Sequence, residues 1–176
     1  ITSDGATYLF VSDFSAKKIY RINTLTEAFN ELVSNTVSTP NGLWYDGANN
    51  RILFVNWGSS AAIKAISMAD STVSTVTTTS LGNCDGIAAD GNGNFFVSAW
   101  NSQSIHKFDA AFGAPVAVVS SLANPADICY NVNNDTLAVP NSQNNTVTFH
   151  YLGTQNNSVE ELDNEFETIA YPNPTS

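Results

Sequence analysis

Three sets of residues recur along this chain at almost one interval, and that interval limits the fold more than any other feature. The first set is Phe10-Val11, Phe54-Val55, Phe96-Val97 and Ala138-Val139. The second is the apolar-alternating stretches 19–22, 63–66, 105–108 and 147–150; both sets step by 44, 42 and 42 residues. The third, 1–4, 43–46, 87–90 and 128–131, runs from an Ile or Leu to an Asp or Asn and steps by 42, 44 and 41. Self-similarity at this length means that one supersecondary unit is repeated and that each copy buries its apolar face against the next.

Within a period the pattern is that of strands. In the second unit, 42–46 reads as strand a, Gly47-Ala48-Asn49-Asn50 as a turn, 51–56 as strand b, 62–67 as strand c and the β-branched stretch 72–79 as strand d. The third unit turns on Gly91-Asn92-Gly93. Only 26–32 carries a helical spacing, and it is short. Four strands in about 42 residues is one blade of a β-propeller, so the expected fold is all-β, with antiparallel four-stranded blades over units 1–37, 38–81, 82–122 and 123–152. Unit one retains only Ile1-Thr2-Ser3-Asp4 of strand a, and unit four has no convincing strand d. Raw sheet edges invite pairing. Closure can come from further blades of a larger propeller, which is the favoured reading, from a second copy joined head to tail, or from 159–169 as the missing outer strand.

Six basic against 16 acidic residues leave a formal net charge of −10. That field repels a phosphate backbone and an anionic membrane surface, so nucleic-acid binding is excluded, and cations are its natural small partners. No apolar run approaches the 18 residues of a membrane span. Charged residues are only 12% of the chain, so the exposed surface is built from Ser, Thr and Asn, as suits an extracellular protein. Cys84 and Cys129 form no disulfide framework. Both fall at or just before innermost strands of neighbouring blades, where the spacing is often too wide for a bridge, and two buried thiols are expected.

Propeller ligands usually sit over the central channel, so the residues before each strand a are the candidate site: Pro40-Asn41-Gly42, Cys84-Asp85-Gly86 and Pro125-Ala126-Asp127. Asn41 and Asp85 hold equivalent places. An amide oxygen and a carboxylate converging near the axis suit calcium or another divalent cation. Against this, Asn-Gly and Asp-Gly are common turn dipeptides that accept positive φ. Position 126 breaks the ring, and Asp127, one place later, is expected to face elsewhere. Trp57 and Trp100, which follow strand b one place apart in the repeat frame, are candidates for a ligand rim that stacks on a sugar, a peptide or a small molecule; packing between blades is the competing reading for them and for Trp44. Phe14 aligns with Trp100 in unit one, and Ser142 in unit four. His106 and His150 read as surface imidazoles, and Lys17-Lys18 with Arg21 as a solvated edge near Asp13. No nucleophile elbow, phosphate loop or zinc motif is present.

Pro40-Asn41-Gly42-Leu43, Cys84-Asp85-Gly86-Ile87 and the run Gly93-Asn94-Phe95-Phe96-Val97-Ser98-Ala99-Trp100 resemble both the NHL-repeat propellers and the SMP-30/gluconolactonase family, over residues 1 to about 152. The NHL resemblance implies a binding or scaffolding module. The SMP-30 resemblance implies a metal-dependent lactone or ester hydrolase in which Asn41 and Asp85 are metal ligands; the Glu and the second Asn of such a site come from earlier blades, at positions that would lie before Ile1. A third reading is a purely structural surface protein. After 153–170, which reads as an acidic linker, Tyr171-Pro172-Asn173-Pro174 resembles the opening of the C-terminal sorting domain of the type IX secretion system of Bacteroidetes, which implies a secreted or surface-held protein with 171–176 as the start of that domain.

Overall fold

The computed structural model describes residues 1–153. Fifteen strands form four antiparallel sheets. The first is β1 (Thr2–Ser3), β2 (Tyr8–Asp13), β3 (Lys18–Asn23) and β4 (Phe29–Val33), hydrogen-bonded in that order. The second is β5 (Thr39–Asp46), β6 (Arg51–Trp57), β7 (Ile63–Ser67) and β8 (Val73–Thr77). The third is β9 (Cys84–Ala89), β10 (Phe95–Ala99), β11 (Ser104–Phe108) and β12 (Val116–Val119). The fourth holds three strands among the described residues: β13 (Cys129–Asn131), β14 (Thr136–Asn141) and β15 (Thr146–Tyr151). Each sheet is one blade of a β-propeller, as the repeat predicts. The helical spacing at 26–32 is overruled. Glu27 lies in a turn and β4 takes the rest, because pairing with β3 supplies backbone partners that one isolated helical turn could not.

The inner turn of each blade is held by its own sequence. Asp4 Oδ1 accepts the N–H groups of Ala6, Thr7 and Tyr8 at 2.9–3.0 Å. Asp90 Oδ1 accepts those of Asn92 and Asn94 at 2.8 and 3.1 Å. These are side chains replacing backbone partners in a turn, as Asn131 also does for the Asn133 N–H, whereas Asp46 of blade two accepts from the Asn49 and Arg51 side chains instead. Blade two differs. Its turn, Gly47–Asn50, contains a 3-10 turn and one residue more than Gly91–Gly93. Leu43 therefore pairs with Phe54, whereas Ile87 pairs with Val97. The partners of Phe96-Val97 in blade two are Leu53-Phe54, one place earlier than the sequence alignment puts them, and Trp57 becomes the exact counterpart of Trp100.

The core is divided by boundary. Phe10 and Ile19 meet Leu43, Ile52, Phe54 and Ile66 between blades one and two. Leu53, Val55, Ile63 and Ala65 meet Ile87, Phe95, Val97 and Phe108 between two and three. Ala88, Phe96 and Ile105 meet Ile128, Leu137 and Val139 between three and four. Alternate residues of one strand thus serve opposite neighbours, as the two faces of a sheet require.

The boundaries come in two kinds. At one|two, Phe10 stacks on Tyr45 at 5.9 Å and Ser12 Oγ donates to the Asn41 carbonyl at 2.7 Å. At three|four, Phe96 stacks on Tyr130 at 5.0 Å and Ser98 Oγ donates to the Ala126 carbonyl at 2.8 Å. At two|three the same places hold Leu53, Ala89 and Val55, and the contact is aliphatic. Asn56 and Asn141, both buried, hold matching places in blades two and four. Blades one and three are thus one type and blades two and four another, repeating every 85–86 residues (Ser12 to Ser98, Asn56 to Asn141). Both cysteines are free; Cys84 is buried, but Cys129 is exposed on the far face of blade four rather than buried as expected.

Candidate functional site

Antiparallel pairing puts the start of each inner strand beside the end of the second strand. Asn41, Asp85 and Asp127 therefore share one end of the molecule, the upper face, with Phe14, Trp57 and Trp100. The ladder shifts between Pro40 and Leu43 and again between Val97 and Ala99, so Asn41-Gly42 and Asp85-Gly86 are both bulged out of their pairing. Neither glycine has a left-handed φ. The turn reading of these dipeptides is thus corrected: the glycines are there for space. A Cβ on Gly42 would sit 2.8 Å from Gly86 Cα, and one on Gly86 would sit 2.6 Å from Ile128 N and 2.8 Å from Asp127 Cα. Successive inner strands touch at these points, and only glycine lets them.

That close approach brings together groups the sequence kept apart. Asp127 occupies the slot that Gly42 and Gly86 fill in the preceding blades. Its carboxylate lies against Gly86 and its charge acts on Asp85, against the expectation that it faces elsewhere, because the bulges interrupt the alternation. Asp85 is half-buried, and its carboxyl is pushed up to about 6, first by burial and then by the charge of Asp127; Trp100 and Asn41 act against the shift by favouring the carboxylate. Asp127 is exposed; the desolvation that its neighbours impose pushes its carboxyl up, and the N-terminal ammonium and the Ile128 N–H, 3.1 Å from Oδ1, act against that shift. Trp100 Nε1 is buried and completes no hydrogen bond among the described atoms.

Beside this group runs a row of rings from three successive blades. Phe14 lies 6.0 Å from Trp57, and Trp57 lies 5.0 Å from Trp100, both edge to face. The rings touch across the blade boundaries, and each tryptophan also keeps part of its surface in solvent. Trp44 packs beneath, against the two|three core.

The other candidates are local. His106 Nε2 hydrogen-bonds with Ser104 Oγ at 2.8 Å, and its buried Nδ1 has no partner among the described residues, so no third group orients the ring as nucleophilic catalysis requires. Lys18 pairs with Glu31, and the Arg21 guanidinium lies 5.0 Å over the Tyr8 ring. A shallow cleft of about 430 Å³ lies elsewhere, on blade two, lined by Asn49, Arg51, Ser67 and Thr75.

Asn41, Asp85 and Asp127 offer oxygen donors of the kind calcium takes, but calcium takes six to eight of them. The described residues include no cluster of three or more His, Cys, Asp or Glu able to hold a metal. By themselves they do not fit a complete calcium site, and no chemical step is derived through one.

No family model and no curated protein matches this chain. Solved structures do. A chain of the nidogen/laminin complex superposes with a TM-score of 0.68 at 18% identity, covering 81% of this chain and 56% of that one. An auxiliary nutrient binding protein from Bacteroides thetaiotaomicron also gives 0.68, at 10% identity, covering 81% of this chain and 35% of that one. Streptogramin B lyase gives 0.60 at 16% identity, covering 88% and 54%. The chain spans between about a third and just over half the length of these neighbours. Likeness at such identities establishes architecture alone: the chain is a run of β-propeller blades.

Proposed function

We propose that these blades form a binding module of NHL-like type whose ligand seats on the upper face, where the inner strands begin, and presents a cationic group there. One observation carries this reading. Asp127 is near enough for its charge to act on Asp85, whose carboxyl is pushed up to about 6, first by burial and then by that charge. A half-buried carboxylate under the charge of a second one is a cost to the fold, and costs of this kind gather at functional sites. An ammonium or guanidinium needs only these two carboxylates, with the Trp100 ring edge and face beside them to shield it. A divalent cation would need further oxygen ligands from outside the described residues. A lysine or arginine side chain of a partner protein or peptide is therefore the better fit, and the hydrolase reading stands behind it.

Isothermal titration at pH 7.5 and pH 5.0 with a Lys/Arg-containing peptide, with Nα-acetyl-lysine amide and with calcium chloride tests the proposal. The expected result is binding of the peptide that weakens at least tenfold at pH 5.0, as Asp85 takes up its proton, and that Asp85→Asn abolishes. Calcium binding without peptide binding would transfer the site to the metal-dependent reading. No heat with any probe, or peptide binding indifferent to Asp85→Asn, would refute it.

We also propose that the protein is exported. The support is the sorting-domain resemblance of Tyr171-Pro172-Asn173-Pro174, which lies outside the described residues. Deleting the protein from Tyr171 onward in its native host should remove it from the cell surface and medium; unchanged surface exposure would end this reading.

A further inference from the structure

Asn-Gly occurs twice in this chain, at Asn41-Gly42 and Asn92-Gly93, and the fold treats the two copies in opposite ways. The dipeptide carries a chemistry of its own. The glycine amide nitrogen can attack the side-chain carboxamide carbon of the asparagine and close a succinimide ring. A Cβ on the second residue hinders that closure, and a fixed backbone hinders it by holding the reacting atoms apart. The reaction therefore goes where the carboxamide is free, the glycine has room to rotate and its N–H has no partner.

Asn92-Gly93 meets all three conditions. It lies in the turn from β9 to β10, and Asn92 is exposed, with no hydrogen bond from its carboxamide among the described residues. The Asp90 carboxylate ties the N–H groups on either side of Gly93, those of Asn92 and Asn94, at 2.8 and 3.1 Å, and it ties the Asn94 carboxamide at 2.6 Å. The Gly93 N–H between them has no partner among the described residues. Gly93 itself stands at φ +87°, and the nearest atom to the place of its missing Cβ is Ala110 Cβ at 3.5 Å, an ordinary contact. Asn41-Gly42 is held instead. Asn41 is half-buried, and its carbonyl accepts the Ser12 hydroxyl at 2.7 Å. Gly42 is buried, and a Cβ there would lie 2.4 Å from the Asp85 carbonyl oxygen and 2.8 Å from Gly86 Cα. The neighbouring inner strand leaves this glycine no room to turn its nitrogen toward the side chain.

We infer that Asn92 is a site of self-modification, deamidating through Gly93, while the fold protects Asn41. The Gly93 nitrogen gives up its proton and bonds to Asn92 Cγ. The Cγ–Nδ2 bond breaks, and ammonia leaves with that proton. Water then adds to either carbonyl of the ring. One opening gives aspartate at position 92; the other gives isoaspartate, in which the main chain runs through the former side chain. The step needs no oxidant, reductant or enzyme. Aspartate sets a second charge two residues from Asp90, the acceptor that holds the turn. Isoaspartate adds a methylene to the connection between β9 and β10. The turn is at the opposite end of β9 from Asp85, so this chemistry is independent of the upper-face ligand.

The test is to hold the folded 176-residue protein at 37 °C at pH 6.0, 7.4 and 8.5, and to follow residues 41 and 92 by peptide mass after digestion. The clock is the time in which half of Asn41 converts in the same protein unfolded in guanidinium chloride. Isoaspartyl methyltransferase labelling gives a second readout. In the folded protein Asn92 should convert at least tenfold faster than Asn41, should speed up at each higher pH because the attacking nitrogen must lose its proton, and should yield isoaspartate as well as aspartate. In the unfolded protein the two rates should agree within threefold, since only the fold tells the two dipeptides apart. Asn92→Gln, whose longer side chain must close a larger ring, should keep its amide over the same time. Asn92 that stays intact in the folded protein, both asparagines converting at one rate there, a rate indifferent to pH, or an equal rate in Asn92→Gln would each overturn the inference.

Discussion

At neutral pH the Asp85 carboxyl is ionised in a place that favours its neutral form. Its folded value, about 6, lies above the ordinary 3.8, so the folded chain binds this proton more tightly than the unfolded chain does. Stability from this group is therefore complete below about pH 4, falls as pH rises from 4 to 6, and is lost above that. Asp85→Asn should raise the melting free energy by about 1 kcal/mol at pH 7.5, a figure discounted for the solvent the carboxyl still meets, and should leave it unchanged at pH 4. Equal melting of variant and parent at both pH values would show the carboxyl to be unstrained. Asn41 and Asp85 were legible in the sequence because each precedes a glycine at the same point of the repeat. Asp127 was not, because alternation along a regular strand assigns it to the opposite face. Its signal was subtler: a side chain standing in a slot where the two preceding blades have glycine, and so landing in the space the missing Cβ of Gly86 leaves open.

Single strands and their junctions depend on a few polar atoms placed between otherwise apolar sheets. Ser98 Oγ accepts the Gly86 N–H at 2.7 Å within its own blade and donates to the Ala126 carbonyl of the next at 2.8 Å. Ser98 is fully buried, so removing its hydroxyl strands both partners away from water. Ser98→Ala should cost about 2 kcal/mol in denaturant melts, more than one ordinary hydrogen bond; a loss under about 0.5 kcal/mol would mean that water or a local shift replaces it. The strands themselves could be read from period-two alternation and from the Asp or Asn that ends each strand a. The register of blade two could not. Gly47–Asn50 looks like any other Gly/Asn turn, but it holds one residue more, and a slip of one residue exchanges the two faces of the following strand. That is why Trp57 and Trp100 look staggered in the sequence and coincide in the structure.

Over the molecule as a whole, packing is nearest-neighbour: each core cluster belongs to one boundary, and among the described residues no cluster joins blade one to blade four. Blades two and three are gripped on both sides. Amide hydrogen exchange should accordingly be slowest in β6 and β10 and at least tenfold faster in β15, which among the described residues has no fourth strand beside it and no sheet behind it. Uniform protection across the four blades would point to a covering partner for blade four. The propeller could be read from the interval alone, since few folds repeat every 42 residues with four short strands. The two blade types could not, because Phe10-Val11-Ser12 and Phe96-Val97-Ser98 look like ordinary copies until the ladders show that the blade between them does something else. That alternation has a consequence for how such a molecule can be lengthened or rebuilt. A single blade copied into the row would set like beside like, with two Ser-type or two Asn-type second strands in succession. Blades inserted two at a time would keep the order of seams seen here, so the unit that preserves the alternation is a couplet of about 86 residues rather than one blade.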